Sequence, residues 1–142
     1  MDLAIQTVQH PTVKQGLMVS CDIHQFRDIP GVHQVTGDIR DDSVQKKIKS
    51  LSAEFDLIIS DVHPGRTSTP SQMRQAQNKL IIELIQICNT FLSDQATFLT
   101  KGLDPSSKRF FLKHFSTVNI IKPKSSRKES DEIFFLCRGF LK

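Results

Sequence analysis

The stretch Phe55-Asp-Leu-Ile-Ile-Ser-Asp-Val-His-Pro64 indicates how the whole chain is built. Its apolar run Leu57-Ile-Ile59 is typical of a buried strand, and Pro64-Gly65 predicts a turn soon after it. Asp61 therefore stands where the strand ends. In open α/β sheets this end of the strands is where ligands bind, because the loops there are free to vary. The alternative is that Asp61 only caps the next element.

Length and composition limit the class of protein. With 142 residues, the chain is expected to form a single domain over residues 1–142. It has no Trp or Tyr, so ten Phe must form the core together with Ile and Leu. Cys21, Cys88 and Cys137 are odd in number and widely spaced, which favours core thiols over a disulfide framework or a metal site. Without a long apolar run or a secretory leader, we expect no membrane contact and an intracellular, cytoplasmic protein, with the nucleus or a mitochondrion as alternatives.

Positive charge is concentrated in the last third of the chain. From Lys101 to the C-terminus there are ten Lys or Arg and four Asp or Glu, whereas residues 1–100 hold nine and eleven. A one-sided surplus of this kind suits a polyanion such as nucleic acid. The alternative is a solvated basic face without a partner.

Strand-like and helix-like segments alternate along the chain. The pattern predicts helices at about 41–52, 72–92 and after Pro105, and strands at 17–21, 34–36, 57–59, 97–100, 118–121 and 132–137, with a short strand at 1–5 left open. This alternation predicts an α/β protein with a mostly parallel sheet covered on both faces. The last two strands are joined by a loop too short for a parallel crossover, so they are expected to form an antiparallel hairpin. By analogy, this is the outline of a three-layer Rossmann-like methyltransferase fold.

Four predicted strands end at a charged residue. These residues are Asp22, Asp38, Asp61 and Lys101, and they are expected along one edge of the sheet. An acid after the second strand of such a sheet can accept from both hydroxyls of a ribose, and one after the third can accept from an adenine amine. Each residue taken singly has the alternative of a loop residue or helix cap.

A long motif near the C-terminus carries a family resemblance. The segment Lys122-Pro-Lys-Ser-Ser-Arg-Lys-Glu-Ser-Asp-Glu-Ile-Phe134 resembles the signature of the FtsJ/RrmJ ribose 2′-O-methyltransferases, and Cys137-Arg-Gly-Phe140 continues it. Further matches follow the family's order and spacing, namely Cys21-Asp22, Gly37-Asp-Ile-Arg-Asp41, Ile59-Ser-Asp-Val-His-Pro64 and Phe98-Leu-Thr-Lys101. The resemblance covers about residues 17–140.

The resemblance implies a methyl donor, a substrate and residue roles. The donor is S-adenosylmethionine, and the substrate is a ribose 2′-hydroxyl in RNA, with ribosomal and transfer RNA as the expected classes. Asp61, Lys101 and Glu132 match three members of the family's catalytic set. Asp22 and Asp38 match the acids that hold the cofactor's ribose and adenine, with Ile39 beside the base, and Asp61 is also expected to contact the cofactor. We also expect RNA contacts from the basic residues of the last third, Lys108, Arg109, Lys113, Lys122, Lys124, Arg127 and Lys128.

The residue types fit that chemistry in a specific way. A ribose hydroxyl is a poor nucleophile, and a lysine beside it is a base only if it gives up its own proton. Neighbouring carboxylates keep a lysine charged, so Asp61 and Glu132 are expected to orient Lys101 rather than lower its pKa. Positioning of the hydroxyl is expected to contribute more of the rate than proton transfer.

The N-terminal part departs from the family pattern. Asp2-Leu3 is not followed by the family's glycine-rich cofactor loop, Gly16 is the first glycine, and the first catalytic lysine has no counterpart. The sheet is therefore expected to lack part of its first βα unit, and a partner protein or second copy is expected to fill a gap there. Two further hypotheses stay open: a catalytically impaired relative that binds RNA or a ribonucleoprotein, and a structural subunit. His63 beside Asp61 is either a loop residue or a substitute proton acceptor.

Overall fold

The computed structural model describes residues 3–4, 16–66, 68–124 and 132–142. The described residues form seven strands, three α-helices and a 3-10 turn at Pro105–Ser107. The strands are β1 Leu3–Ala4, β2 Met18–Asp22, β3 Val32–Thr36, β4 Phe55–Ser60, β5 Leu92–Gly102, β6 Phe115–Ile121 and β7 Ile133–Phe140. The helices are α1 Asp42–Leu51, α2 Pro70–Phe91 and α3 Lys108–Phe111. The predicted α/β class is confirmed.

All seven strands lie in one sheet with the order β3-β2-β1-β4-β5-β7-β6. The pairs β2–β3 and β4–β5 are parallel, and β7 is antiparallel to both β5 and β6, as the predicted closing hairpin requires. Strand β1 lies between β2 and β4 and is antiparallel to both. Strands β2 to β6 therefore run in one direction, and β1 and β7 run in the other. Only two of the six strand pairings in the described sheet are parallel, although the alternation of elements predicts a mostly parallel sheet.

The three helices pack on the same face of the sheet. Side chains of α1 and α2, Ile48 and Phe91, share an apolar space with Val19 of β2 and Ile58 of β4. On α3, the Phe111 ring lies 6.1 Å from that of Phe98 on β5. A row of paired residues across four strands faces these helices and is buried: Ile58, Phe98, Cys137 and Val118. Most of the ten phenylalanines are buried, which confirms that they supply much of the core.

The opposite face of the sheet is only half covered. Because side chains alternate along a strand, the neighbouring row of Ile59, Leu99 and Leu136 points away from the helices. These three apolar side chains are half-buried rather than buried. No helix of the described residues packs on this face, so the second helical layer of the predicted three-layer fold is not present in the described part of the chain.

Local sequence signals explain where α2 begins and ends. The Thr69 side chain accepts a hydrogen bond from the Gln72 backbone N–H, and Pro70 occupies the first turn, where its missing N–H is not needed. The apolar steps from Met73 to Phe91 predicted this helix to within two residues at each end. No helix among the described residues is long and apolar enough to cross a membrane.

The helix-covered face should dominate stability. Phe98 is fully buried between the rings of Phe111 and Phe115, whereas Phe26 is 53% exposed. Phe98→Ala should lower the free energy of unfolding by about 3–5 kcal/mol, because it leaves a cavity in a packed cluster. The matched change Phe26→Ala should cost less than about 0.5 kcal/mol. Urea unfolding followed by circular dichroism measures both; equal losses would contradict this account of the core.

Candidate active site

Three charged side chains from separate parts of the chain meet at one edge of the sheet. The Lys101 ammonium lies 2.7 Å from an Asp61 carboxylate oxygen and 3.3 Å from a Glu132 carboxylate oxygen. Asp61 directly follows β4, Lys101 is the penultimate residue of β5, and Glu132 directly precedes β7. The structure thus brings together the three residues that the sequence nominated as catalytic, and Asp61, Lys101 and Glu132 are called the trio below.

Strand register accounts for this meeting. Ser60 pairs with Thr100. The residues that follow them, Asp61 just beyond β4 and Lys101 within β5, therefore lie side by side at the same edge of the sheet. Ile133 pairs with Gly102, which brings Glu132 to the same edge from the antiparallel strand. Since the side-chain period of a strand is two, a shift of one residue in either pairing would send a member of the trio to the other face.

Asp61 and Glu132 hold Lys101 in its charged form. A hydrogen bond to Asp61 is the largest influence and raises the pKa of Lys101 above its ordinary value, with Glu132 acting in the same direction and partial burial acting against both. The Lys101 side chain is 18% exposed, so the pair is only partly screened by water. This agrees with the expectation that the carboxylates orient the lysine rather than make it a base.

The two acids nominated for the cofactor lie at the ends of neighbouring strands. Asp22 ends β2 and is 5% exposed, and one of its carboxylate oxygens accepts the His24 N–H at 2.7 Å. Asp38 follows β3 and accepts two contacts below 3.0 Å from the Arg40 guanidinium. These hydrogen bonds lower the pKa of Asp38 to about 2, so it is ionised at neutral pH.

Arg40 is a site residue that the sequence reasoning missed. It also lies 3.7 Å from Glu83 on α2, so it connects the end of β3 to the helical layer. A ligand amine at Asp38 must therefore share the carboxylate with a guanidinium. The available signal was the spacing Asp-x-Arg immediately after a strand, which allows a turn in which the two side chains pair.

Ile39 does not join the acids as expected. Its side chain is 1% exposed and belongs to the apolar core, where it lines the same small space as Val19 and Ile48. The chain turns sharply at Gly37, whose φ of +147° suits glycine, and the residue after Asp38 then faces inward under α1. Ile39 therefore supports the loop from below rather than presenting its side chain to a ligand.

Two clefts have His63, two residues after Asp61, as a shared lining residue, and of the trio only Glu132 lines one of them. The smaller, of about 470 Å³, is lined by Asp38, Arg40 and Ile23 among others. The larger, of about 1000 Å³, is lined by Glu132, Arg74, Met73 and Asp104 among others. Among the described residues, no group of three or more His, Cys, Asp or Glu side chains is arranged to hold a metal ion.

The nominated RNA-binding residues are divided between two places. Lys122 and Lys124 are exposed just after β6, at the same edge as Lys101, because β6 and β5 run in the same direction. Lys108 and Arg109 lie on α3, where the Arg109 guanidinium stacks 5.0 Å from the Phe110 ring centre. Lys113 is exposed two residues after α3. Arg127 and Lys128 lie outside the described residues.

Changing Asp61→Asn should lower the pKa of Lys101 toward its ordinary value, because it removes the largest influence on that pKa. A lysine whose pKa is raised on folding stabilises the fold below its ordinary pKa and loses this contribution as the pH rises through the folded pKa. The stability difference between wild type and variant should therefore shrink above pH 10 or so. Lysine side-chain NMR reports the titration, and Glu54→Gln, at the distant Glu54–Lys142 pair, is the control. An unchanged Lys101 titration in Asp61→Asn would refute the electrostatic assignment.

Comparison with known proteins gives a consistent family. The sequence profile described as FtsJ-like methyltransferase matches residues 1–140. A ribosomal RNA large subunit methyltransferase E from Pelagibacter ubique is 33% identical over 132 residues, which cover 89% of this chain and 65% of that protein. A Caenorhabditis elegans protein named as a tRNA (cytidine(32)/guanosine(34)-2′-O)-methyltransferase is 32% identical over 133 residues, which cover 89% of this chain and 40% of that protein. The chain thus spans less than two thirds of the length of these relatives.

A solved structure supports the fold. The crystal structure of a protein described as a ribosomal RNA methyltransferase from Plasmodium falciparum superposes with a TM-score of 0.73 at 21% identity, covering 87% of this chain and 71% of that one. At this level of identity the similarity concerns the fold alone. It agrees with the Rossmann-like sheet predicted from the order of elements.

Proposed function

Because the chain belongs to the FtsJ-like methyltransferase family, we propose that it transfers a methyl group from S-adenosylmethionine to a ribose 2′-hydroxyl of RNA. The observation that carries this proposal is the meeting of Asp61, Lys101 and Glu132 at the edge of the sheet. Three charged groups from three chain segments, one of which lines a cleft, are more than a loop or a cap requires. Ribosomal and transfer RNA are the candidate substrates, because the relatives are named for them.

The smaller cleft is the proposed place for the methyl donor. Bound there, S-adenosylmethionine would supply an electrophilic methyl group. The residues fit such a ligand in type, because Asp38 is an ionised acceptor on the cleft wall. Asp22 does not line the cleft itself but directly precedes Ile23, which does, and it has a second carboxylate oxygen beyond the one bonded to His24. Carboxylates accept hydrogen bonds from ribose hydroxyls and from an adenine amine. Ile23 adds an apolar side chain to the same wall.

The trio is proposed to position the acceptor hydroxyl. Lys101 stays charged, so it attracts the electron-rich oxygen and holds the two carboxylates apart on either side of it. A hydroxyl that has begun to bond to a methyl group becomes strongly acidic. Its proton can then pass to a carboxylate, Asp61 or Glu132, as the new C–O bond forms and the bond between the methyl group and its donor breaks. No loss of a proton from Lys101 is required.

Binding of RNA is proposed to rely on the basic residues around the same edge. Lys122 and Lys124 follow β6 near Glu132, and Arg74 lines the larger cleft. Cations in these positions can neutralise phosphates on either side of a nucleotide held beside the trio. The gap predicted at the sheet centre is occupied by β1 of the same chain, which pairs with β2 and β4. The predicted protein partner or second copy and the predicted cytoplasmic location remain predictions.

A second candidate function is RNA binding without methyl transfer. One sequence feature favours it: no glycine-rich loop follows Asp2-Leu3, although relatives use such a loop to approach the methionine end of the donor. A chain that held the acids and the basic edge but not the donor would keep RNA affinity and lose turnover. Calorimetry with S-adenosylmethionine separates the two functions, since micromolar binding is expected of the enzyme and no heat at millimolar ligand is expected of the binding module.

Lys101→Ala should reduce methyl transfer at least about 100-fold, because it removes the group around which Asp61 and Glu132 are arranged. The exposed Lys47→Ala on α1 is the matched control and should leave turnover unchanged. Transfer of a radiolabelled methyl group to ribosomal or transfer RNA measures the rate. Circular dichroism shows that both variants are folded. Wild-type turnover in Lys101→Ala would overturn the proposed role of the trio.

RNA affinity should fall steeply with salt, because each neutralised phosphate releases counterions. The double change Lys122→Ala and Lys124→Ala should reduce the slope of log K against log salt by about 1.4 for single-stranded RNA, at about 0.7 per phosphate. Lys46→Ala with Lys47→Ala, an exposed pair on α1, should leave the slope unchanged. Fluorescence anisotropy over a salt series gives the slopes. Equal slopes in the two double variants would remove the phosphate contacts from this edge.

A further inference from the structure

We propose that Gln77 is a positioning residue that fixes the end of β5, and with it Lys101, from the helical layer. Gln77 lies in the second turn of α2 and is 3% exposed. It is the one buried residue of that helix with a polar side chain in the described part of the chain. A buried amide is stable only when its hydrogen-bonding groups are satisfied, so its partners indicate its role.

Both ends of the Gln77 amide are engaged by the segment that follows β5. The carbonyl oxygen accepts the Leu103 backbone N–H at 3.1 Å, and the amide nitrogen donates to the Ser107 hydroxyl at 3.1 Å. Leu103 is the first residue after β5, so this acceptor replaces a sheet partner that the strand no longer has. One side chain therefore holds both ends of the segment from Leu103 to Ser107.

The two hydrogen bonds of the Gln77 side chain, here called the Gln77 clamp, lie close to the trio. Leu103 is two residues beyond Lys101, and Gly102 between them pairs with Ile133, the residue after Glu132. On its other side Gly102 lies against the Phe135 ring, where an added Cβ would be 2.3 Å from a ring carbon. The backbone between Lys101 and Leu103 is thus held by a ring on one side and by the Gln77 amide beyond it. Gln77 also lines the larger cleft together with Glu132.

This arrangement couples α2 to the geometry of the lysine. Without the amide, the Leu103 N–H loses its acceptor, and the end of β5 is held only by its pairing with β7. The distance from Lys101 to Glu132 then depends on strand pairing alone. The expected effect of losing the Gln77 amide on turnover rests on the proposed function. Its expected effect on the Lys101 ion pairs does not.

The test uses Gln77→Met, which keeps the length and burial of the side chain and removes both hydrogen bonds. We expect the Leu103 amide to exchange at least tenfold faster and the pKa of Lys101 to move down toward its ordinary value. We also expect kcat to fall while KM for the methyl donor stays unchanged. Gln75→Met, on the exposed side of the same helix, is the control and should change none of these.

Each outcome is decisive for the positioning role. A loss of stability with the Lys101 titration unchanged would show a purely structural residue and overturn the proposal. Inactive wild-type protein would refute the proposed function but would leave the titration result to decide for or against Gln77. Ser107→Ala removes the hydrogen bond from the Gln77 amide nitrogen, together with the 3.5 Å bond that the Ser107 hydroxyl donates to Asn78, and should leave the Lys101 titration unchanged. If Gln77→Met does not fold, exchange in the wild type decides: a Leu103 amide no better protected than an exposed loop amide would overturn the clamp.

Discussion

The register of β4, β5 and β7 is the constraint on which the candidate site depends. Ser60 opposite Thr100 and Gly102 opposite Ile133 bring Asp61, Lys101 and Glu132 to the same edge of the sheet. The ion pairs at 2.7 Å and 3.3 Å depend on this backbone pairing, because it brings the three residues within reach of one another. Holding the long Lys101 side chain in one geometry costs conformational entropy, which its two carboxylate partners and its partial burial help to offset.

That register is protected by the uneven burial of the sheet. Phe98, Cys137 and Val118 are fixed between the strands and the helices, so a slip of β5 or β7 would expose phenylalanine and bury polar side chains. The other face, with Ile59, Leu99 and Leu136, is half-buried and contributes less to this specificity. Stability and register are therefore set on one face, while the charged trio emerges at the edge.

Sequence patterns predicted the strands, the helices and the trio because each depends on features that can be read along the chain, namely periodic apolar runs and a long motif. Asp61 and Lys101 follow apolar runs whose length is visible, and Glu132 stands in a long motif. The Asp38–Arg40 pair, the inward side chain of Ile39 and the Gln77 clamp were not predicted, because each depends on which way a side chain turns after a loop. The reversed direction of β1 was also beyond reach, since two residues carry no periodicity.

The position of β1 shows how the two halves of the site are joined. Leu3 pairs with Cys21 on one side and with Ser60 on the other, next to Asp22 and Asp61 respectively. The acids proposed to hold the cofactor lie at the ends of β2 and β3, and the trio lies at the ends of β4, β5 and β7, so this short strand is the only bridge between them within the described sheet. A bridge of two residues is weak by itself. The helical layer must therefore carry most of the connection, through Ile48 and Phe91, which pack against Val19 and Ile58 from the two halves at once. The alignment of the proposed donor and acceptor sites thus depends on core residues that line neither cleft.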